Sequence, residues 1–181
     1  MKKSEIRKKI IKKRREYYSS KLKIDSRLIL KILKKEKLQN KVIGGYYPYN
    51  FEIDDIEILK KLEKKNYVIS LPKIKKNFQM DFFKWSIKDP LIINKMGIAE
   101  PTSNNLKYPD ILLVPLVAFD KNFNRIGYGG GFYDRYIKRV RSIKEIITIG
   151  IAFSFQKVNK IQVDRNDIKM DFVITEKNKF K

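Results

Sequence analysis

Residues 110–141 read DILLVPLVAFDKNFNRIGYGGGFYDRYIKRVR, and this stretch decides the fold. Its first ten residues are the most apolar run of the chain, which is typical of a buried strand in the middle of a parallel sheet. Residues 120–124 favour a turn, and the segment after them passes from a glycine-rich loop into a helix. Ligands in α/β proteins bind where a buried strand leads through such a loop into a helix.

Strands and helices alternate on both sides of this stretch. A helix that begins near Asp54 or Asp55 separates two of the predicted strands, which makes a βαβ unit with parallel strands. The strand after that helix is expected to stop at Pro72, and the next strand region to be more exposed, with a loop after it. The strands are predicted at residues 41–47, 67–71, 78–85, 110–119, 146–153 and 172–175.

Two N-terminal helices are expected within residues 3–38, from Lys3 to Tyr18 and from Asp25 to Lys37, with Ser19-Ser20 between them. Both helices are expected to pack on the α/β core. The sequence therefore predicts a single domain over residues 1–181. Its fold class is α/β, a three-layer Rossmann-like domain with a mainly parallel central sheet flanked by helices.

The 181 residues include no cysteine and no histidine. These absences exclude disulfides, cysteine nucleophiles, zinc sites built from Cys or His, and catalysis that needs an imidazole. Any chemistry must use carboxylates, Lys, Arg, Tyr, backbone amides or a metal held by oxygen ligands.

The formal net charge is +22, with the basic excess concentrated in residues 1–41. Two interpretations remain open at this stage. The charge is either a solvated helical face in a Lys-rich protein, or it attracts a polyanion such as nucleic acid, a membrane surface or a charged small molecule. No apolar run is long enough to cross a membrane and the charged N-terminus lacks a signal-peptide core, so a cytoplasmic protein is expected.

The glycine-rich loop carries two interpretations as well. Glycines let a phosphate approach the main chain, and the following helix offers free N–H groups, so anion binding is one. A flexible turn is the other. Phe132 breaks the GxGxxG pattern and no GxxxxGK[ST] occurs, so neither standard nucleotide fingerprint is present. Asp134 lies in the first turn of the helix, where a carboxylate also stabilises the helix N-terminus.

The string FDKNFNRIGYGGGFYDRYI, residues 119–137, resembles the nucleotide-binding signature of the 5-formyltetrahydrofolate cyclo-ligase family. That signature is a strand ending in Pro-x-x-x-Phe-Asp, followed by Arg-[LI]-Gly-x-Gly-x-Gly-[YF]-Tyr-Asp-[RK]. The matching residues are Pro115, Phe119, Asp120, Arg125, Gly127, Gly129, Gly131, Phe132, Tyr133, Asp134 and Arg135.

Other segments resemble the same family in the same order, from residue 3 to residue 176. Residues 3–7, KSEIR, are similar to its N-terminal Lys-x-x-[LI]-Arg. Glu52 falls on the acid of its [DE]-[IV]-x-T motif, where Asp55 replaces the usual Thr. The further matches are LPK at 71–73, the aromatic strand at 80–85, GIAEP at 97–101, Asn166-Asp167 and MDFVITE at 170–176.

The resemblance implies the ATP-driven closure of 5-formyltetrahydrofolate to 5,10-methenyltetrahydrofolate, with ADP and phosphate released through an iminophosphate. Phosphoryl transfer depends on positioning and charge neutralisation, so a chain without histidine is suited to it. Arg125 and Asp134 are the implied catalytic residues. The implied ATP-binding residues are Lys3, Arg7, Arg125, Ile126, Gly127, Tyr128, Gly129, Gly130, Gly131, Phe132 and Tyr133.

The resemblance also implies a folate pocket and a magnesium site. The folate-binding candidates are Tyr47, Glu52, Trp85, Tyr128, Gly129, Gly130, Gly131 and Phe132, although a lone Trp on a strand is more often a core residue. Asp134 and Asp167 are the Mg²⁺ candidates, with Asp171 as the alternative second ligand.

The expected partners are therefore 5-formyltetrahydrofolate, with or without a polyglutamate tail, and ATP. A monomer that binds neither nucleic acid nor membrane is expected. A nucleic-acid-binding protein is the rival interpretation of the charge and of the interleaved aromatic residues.

Overall fold

A computed structural model describes residues 1–17, 23–36 and 41–177, with the backbone of 179–180. The helices are α1 (Lys3–Tyr17), α2 (Ser26–Lys35), α3 (Ile56–Glu63) and α4 (Phe132–Arg141), and a 3-10 turn covers Ser154–Gln156. The strands are β1 (Val42–Gly44), β2 (Val68–Ile74), β3 (Met80–Lys84), β4 (Leu91–Ile93), β5 (Ala99–Pro101), β6 (Leu106–Lys107), β7 (Ile111–Pro115), β8 (Ala118–Phe119), β9 (Arg125–Ile126), β10 (Ile147–Ile151), β11 (Phe172–Ile174) and β12 (Lys179–Phe180). The predicted break at Ser19-Ser20 and the predicted last residue of the second helix, Lys37, lie outside the described residues.

The central sheet has the strand order β12-β11-β10-β7-β1-β2-β3-β6. The inner strands β11, β10, β7, β1 and β2 run parallel, while β12, β3 and β6 join antiparallel at the two sides. β7 lies between β10 and β1, so the apolar run at 110–119 supplies the centre of the sheet, as predicted. The predicted βαβ unit is also present, since β1 and β2 pair in parallel around α3.

Helices cover both faces of the sheet, which confirms the three-layer α/β prediction. α2 and α3 bury Ile29, Leu33 and Leu59 against one face. α4 buries Ile137 and Val140 against the other face. Side chains alternate along a strand, so successive residues of β7, such as Leu112 and Leu113, enter opposite layers of the core.

α1 packs separately, against the small hairpin that β8 and β9 form beyond the carboxyl end of β7. Ile6 and Ile10, one helical turn apart, contact the cluster that contains Val117, Ala118 and Ile126. Asp120 fixes this hairpin, because one carboxylate oxygen accepts hydrogen bonds from the amides of residues 122 and 124. α1 is thereby held beside the glycine-rich loop that follows β9.

The structure corrects three details of the sequence prediction. β2 continues through Pro72 to Ile74, because β1 ends opposite Ser70 and leaves that edge of β2 open, where proline is tolerated. β3 is buried rather than exposed, since Phe82 packs on Tyr136 of α4 with ring centres 4.9 Å apart. The loop predicted after β3 contains the hairpin β4–β5.

The predicted run at 110–119 is also divided into two strands, β7 and β8, by Leu116 and Val117. The β8–β9 pairing turns the chain away from the central sheet. Among the described residues, no helix is both long and apolar enough to cross a membrane.

Candidate functional site

A cavity of about 620 Å³ opens at the carboxyl ends of β1, β2 and β7, which is the edge where open α/β sheets bind ligands. Its walls come from α1, the loop after β1, the end of β2, the β4–β5 hairpin and the glycine-rich loop. The polar and loop residues that line it are Lys3, Arg7, Tyr46, Tyr47, Tyr49, Glu52, Glu100, Arg125, Gly127, Tyr128, Gly129, Gly130, Gly131, Asp134, Asp164 and Asp167. Ile126, Phe132 and Tyr133 also line it.

The glycine-rich loop, residues 127–131, forms one wall and ends at the N-terminus of α4. Gly129 and Gly131 adopt left-handed backbone angles, with φ of 103° and 65°, which side chains with a Cβ rarely adopt. Gly131 is the N-cap of α4 and offers no side chain to the first helical N–H groups. Those N–H groups and the helix dipole favour an anion at this end of the cavity.

Two basic residues of α1 face the loop from the opposite side. Arg7 Nε donates a 2.8 Å hydrogen bond to the Gly127 carbonyl, and its guanidinium lies 3.5 Å from the place a Cβ on Gly129 would occupy. Lys3 lies one turn earlier, with Nζ 2.5 Å from Asp167 Oδ2 and 2.6 Å from Asp164 Oδ2. Two cations on one helical face therefore line the cavity, Arg7 at the glycine-rich loop and Lys3 at residues 164–167.

Arg125 connects the loop to the segment near residue 167. Its Nη2 donates to Asp134 Oδ1 at 2.8 Å, and its Nη1 donates to the Ile168 carbonyl. The same Asp134 oxygen accepts from the Ile168 amide at 3.1 Å. Arg125 is only 7% exposed, and burial lowers its pKa while Asp134 opposes that shift. The Arg125–Asp134 pair holds the N-terminus of α4 against residues 164–168.

The three predicted metal candidates occupy two different places. Asp134 and Asp167 both line the cavity, and a second cavity of about 520 Å³ adjoins them. The pKa of Asp167 is lowered, because hydrogen bonds from the Asp164 amide and from Lys3 outweigh the opposing effect of burial. Asp171 lies elsewhere, where it accepts from the amide and hydroxyl of Thr148 at 2.8 and 2.7 Å.

The predicted folate residues converge on the other end of the cavity. Glu52 is 4% exposed, and its Oε2 accepts from the Tyr49 amide at 2.9 Å. Burial raises the pKa of Glu52 to about 7, against the opposing influence of Arg14, the Tyr49 amide and the Tyr128 hydroxyl. Tyr47 and Tyr128 are each 41% exposed at the wall, which suits stacking on a flat ring.

Trp85 is the one predicted folate residue that the structure does not bring to the cavity. It is 4% exposed and belongs to the core cluster under α2 and α3. Its ring nitrogen donates to the Asp89 carbonyl at 3.3 Å. The structure therefore places Trp85, which directly follows β3, in the core and away from the other folate candidates.

The residues at or near the cavity that were missed from the sequence include three charged ones. Asp164 lies beside Lys3, Glu100 accepts from the Ile74 amide at 2.7 Å, and Arg14 donates to the Tyr128 hydroxyl. Arg14 follows Lys3 by 11 residues and Arg7 by 7, which is the spacing of one helical stripe and was the available signal. Glu100 lies within the GIAEP match at 97–101 but was given no role there, and no sequence spacing pointed to Asp164.

Phe78 closes the rim next to the loop. Arg135 Nη2 donates to the carbonyls of Phe78 and Gly130, at 2.6 and 2.5 Å, and so ties the β2–β3 turn to the loop. The Phe78 and Phe132 rings lie 5.9 Å apart, at an interplanar angle of 53°. These rings make the adjoining wall apolar.

The sequence profile of the 5-formyltetrahydrofolate cyclo-ligase family matches residues 1–176. A relative from Haemophilus influenzae, named 5-formyltetrahydrofolate cyclo-ligase, is 34% identical over 143 residues, which are 75% of each protein. The solved structure of 5,10-methenyltetrahydrofolate synthetase from Aquifex aeolicus superposes with a TM-score of 0.80 at 31% identity, covering 100% of this chain and 93% of that protein. The synthetase of Mycoplasma pneumoniae gives a TM-score of 0.75 at 26% identity, covering 97% and 99%.

Proposed function

This chain belongs to the 5-formyltetrahydrofolate cyclo-ligase family, and we propose that it closes 5-formyltetrahydrofolate to 5,10-methenyltetrahydrofolate with ATP and Mg²⁺. The observation that carries the proposal is the composition of one cavity. Cations, free helix N–H groups and carboxylates meet at one end of it, and a buried carboxylate with aromatic walls lies at the other.

The nucleotide end is proposed for the glycine-rich loop. Lys3 and Arg7 bind the polyphosphate, since both side chains reach from α1 into the cavity, and Arg7 is already anchored on Gly127. The first N–H groups of α4 add hydrogen bonds to phosphate oxygens. Arg125, which Asp134 holds in place, fixes the loop in the conformation that receives the phosphates.

Asp134 and Asp167 fit a magnesium site of the kind that is completed by phosphates and water. Each uses one carboxylate oxygen in the hydrogen bonds given above, so that its other oxygen has no partner among the described contacts. No three acidic side chains within the described ranges form a site by themselves. Mg²⁺ commonly takes one or two carboxylates and fills its coordination with phosphate and water. When bound, Mg²⁺ would neutralise the charge that develops on the transferring phosphoryl group.

The proposed reaction proceeds in two steps. The formyl oxygen attacks the γ-phosphorus, so that a new O–P bond forms while the bond between that phosphorus and ADP breaks. N10 then attacks the formyl carbon. The C–N10 bond forms, the C–O bond breaks, phosphate leaves with the former formyl oxygen, and the N10 proton passes to water. ADP, phosphate and the methenyl product result.

The protein's part in both steps is to position the reactants and exclude water. Glu52, as a carboxylate, accepts hydrogen bonds from the amino and ring N–H groups of the pterin. Tyr47, Tyr128 and Phe132 contact its flat face. Holding N10 and the formyl group close to the γ-phosphate replaces a bimolecular encounter by an intramolecular one.

A direct assay tests the proposal. Purified protein is incubated with 5-formyltetrahydrofolate and MgATP, and the methenyl product is followed by its long-wavelength ultraviolet absorbance together with ADP. We expect product only when ATP and Mg²⁺ are both present, and a large loss in Asp134→Asn with the fold retained. A folded wild-type protein without ATP-dependent product would overturn the proposal. A monomeric state and a cytoplasmic location stay predictions of the sequence.

A further inference from the structure

Arg14 is among the most completely buried side chains of the molecule, at 1% exposure. It lies on α1, two turns beyond Arg7, but does not line the cavity. A buried guanidinium is costly unless its environment compensates the charge. Its contacts therefore have to explain why a cation occupies this position.

The guanidinium of Arg14 is directed at Tyr128. Nη2 donates to the Tyr128 hydroxyl, and the guanidinium carbon lies 5.6 Å from the centre of the Tyr128 ring. Nη1 donates to the Leu116 carbonyl at 3.4 Å, while Nε has no hydrogen-bond partner. Within the described parts of the chain, no carboxylate lies at ion-pair distance from Arg14.

Glu52 is the carboxylate that this cation influences from farther away. The Tyr128 hydroxyl donates to the Tyr49 carbonyl at 3.4 Å, and the Tyr49 amide donates to Glu52 Oε2 at 2.9 Å. Burial raises the pKa of Glu52, and Arg14 and Tyr128 both oppose that shift. Tyr128 belongs to the glycine-rich loop and lines the cavity beside Glu52. The three side chains thus link α1, the glycine-rich loop and the folate end of the cavity.

We infer that Arg14 is a positioning residue for folate recognition, which holds Tyr128 against the loop that carries Tyr49 and Glu52. It also aligns the folate end with α1, the helix that carries Lys3 and Arg7. The inference rests on the proposed function and deepens it, since Arg14 contacts neither cavity nor substrate.

The groups around Glu52 determine the pH dependence. Arg14 from α1 and Tyr128 from the loop lower its pKa, whereas Asp55 and Tyr46 beside β1, and Tyr133 of α4, face the same region. Burial raises the pKa of Glu52 to about 7 even with Arg14 present. Loss of Arg14 raises this pKa further, so that the carboxylate needed for pterin binding forms only at higher pH.

The test compares Arg14→Met, Arg14→Lys and Tyr128→Phe with the control Arg15→Met, which changes an exposed neighbour on α1. The readout is kcat/KM for 5-formyltetrahydrofolate at saturating MgATP, measured from about pH 5.5 to about pH 9, a range that spans the pKa of Glu52. We expect the acid limb of Arg14→Met to move up by about one pH unit, with a folate KM about tenfold higher and the ATP KM within about twofold. Arg14→Lys retains the positive charge, so we expect its acid limb to lie between those of wild type and Arg14→Met. The control Arg15→Met is expected to match wild type.

A double-mutant cycle separates positioning from general stability. If Arg14 acts through Tyr128, the effects of Arg14→Met and Tyr128→Phe on folate kcat/KM are less than additive. An unshifted limb in both variants, or additive effects, would overturn the inference. If Arg14→Met does not fold, the acid limb of the Tyr128→Phe pH profile tests the inference by itself. That variant also weakens the stabilisation of the Glu52 carboxylate, so its acid limb should move to higher pH.

The two proposals fail in different ways. Absence of turnover in wild type counts against the proposed function. In that case, equilibrium binding of 5-formyltetrahydrofolate by calorimetry over the same pH range still tests Arg14. The same upward shift of the binding limb in Arg14→Met supports the inference, and wild-type pH dependence or no binding overturns it.

Discussion

Lys3 Nζ lies 2.5 Å from Oδ2 of Asp167, although 164 positions separate the two residues in the sequence. The proposed nucleotide cation and the proposed metal ligand therefore neutralise one another. Polyphosphate would replace Asp167 as the partner of Lys3, and a divalent cation would replace Lys3 as the partner of Asp167. Exchange of partners avoids leaving either charge unpaired.

Asp167→Asn is expected to raise the Mg²⁺ concentration that the activity requires. An amide oxygen carries no charge to offset the cation, and loss of even a supporting partner lowers metal affinity about 10- to 100-fold. The measurement is the Mg²⁺ concentration that gives half-maximal rate at a fixed, saturating ATP concentration. The matched variant is Asp171→Asn, whose carboxylate instead binds Thr148. We expect it to reduce thermal stability and to leave the half-maximal Mg²⁺ concentration at the wild-type value, and the opposite pattern would make Asp171 the ligand.

Lys3→Ala and Arg7→Ala are expected to raise the KM for ATP without a comparable change in the KM for folate. A hydrogen bond to a charged group contributes about 1.5–3 kcal/mol, which corresponds to a factor of about 10 to 100 in affinity. Initial-rate kinetics with each substrate varied in turn measure both constants. Lys8→Ala is the control, because Lys8 is exposed on the same helix. Equal effects of all three variants would show that α1 contributes only general positive charge.

Glu52→Gln is expected to stabilise the fold above pH 7 while impairing folate turnover. The folded-state pKa of Glu52, about 7, exceeds its ordinary value of 4.5, so the native protein binds this proton more tightly than the unfolded chain. Stability from this group is complete below about pH 4.5 and is lost as the pH rises through 7. Ionisation of Glu52 therefore lowers the free energy of unfolding by about 3 kcal/mol, and glutamine, which does not ionise, avoids this loss. Urea unfolding at pH 5 and pH 8 measures the effect, and a variant no more stable than wild type at pH 8 would contradict it.

Gly129→Ala is expected to destabilise the protein by about 1 kcal/mol or more, because φ at Gly129 is 103°. The new Cβ would also approach the Arg7 guanidinium at 3.5 Å. Gly127→Ala is the comparison, since its φ is not left-handed and no atom lies within 4 Å of the added Cβ. Thermal melts of the two variants, run side by side, should differ in the midpoint. Equal midpoints would mean that the loop relaxes to another conformation.

The order of layers was predictable because strand burial and helix periodicity are local patterns. The apolar run at 110–119 located the central strand, and its continuation into glycines located the cavity. Sequence reasoning failed where tertiary packing decides. Pro72 did not end β2, because the open edge beyond β1 needs no N–H from that residue. β3 was misjudged as exposed, since the helix that covers it begins about 50 residues later in the chain.

Site residues were predictable where the family motif fixes them and not elsewhere. The motif gave Lys3, Arg7, Glu52 and Asp167, which all line one cavity. Trp85 was proposed from its ring chemistry alone, and the direction of its side chain depends on the strand register. Arg14 was overlooked because a charged residue within a basic run looks solvated. Only the packing of α1 on the β8–β9 hairpin reveals that it is buried.

Isotope tracing tests most directly whether the formyl oxygen is transferred to phosphate. The protein is given 5-formyltetrahydrofolate labelled with ¹⁸O in the formyl group, together with unlabelled MgATP in unlabelled water, and the released phosphate is analysed by mass spectrometry. We expect one ¹⁸O atom in each phosphate, with methenyl product, ADP and phosphate formed in equal amounts. Methenyl product accompanied by unlabelled phosphate would contradict it.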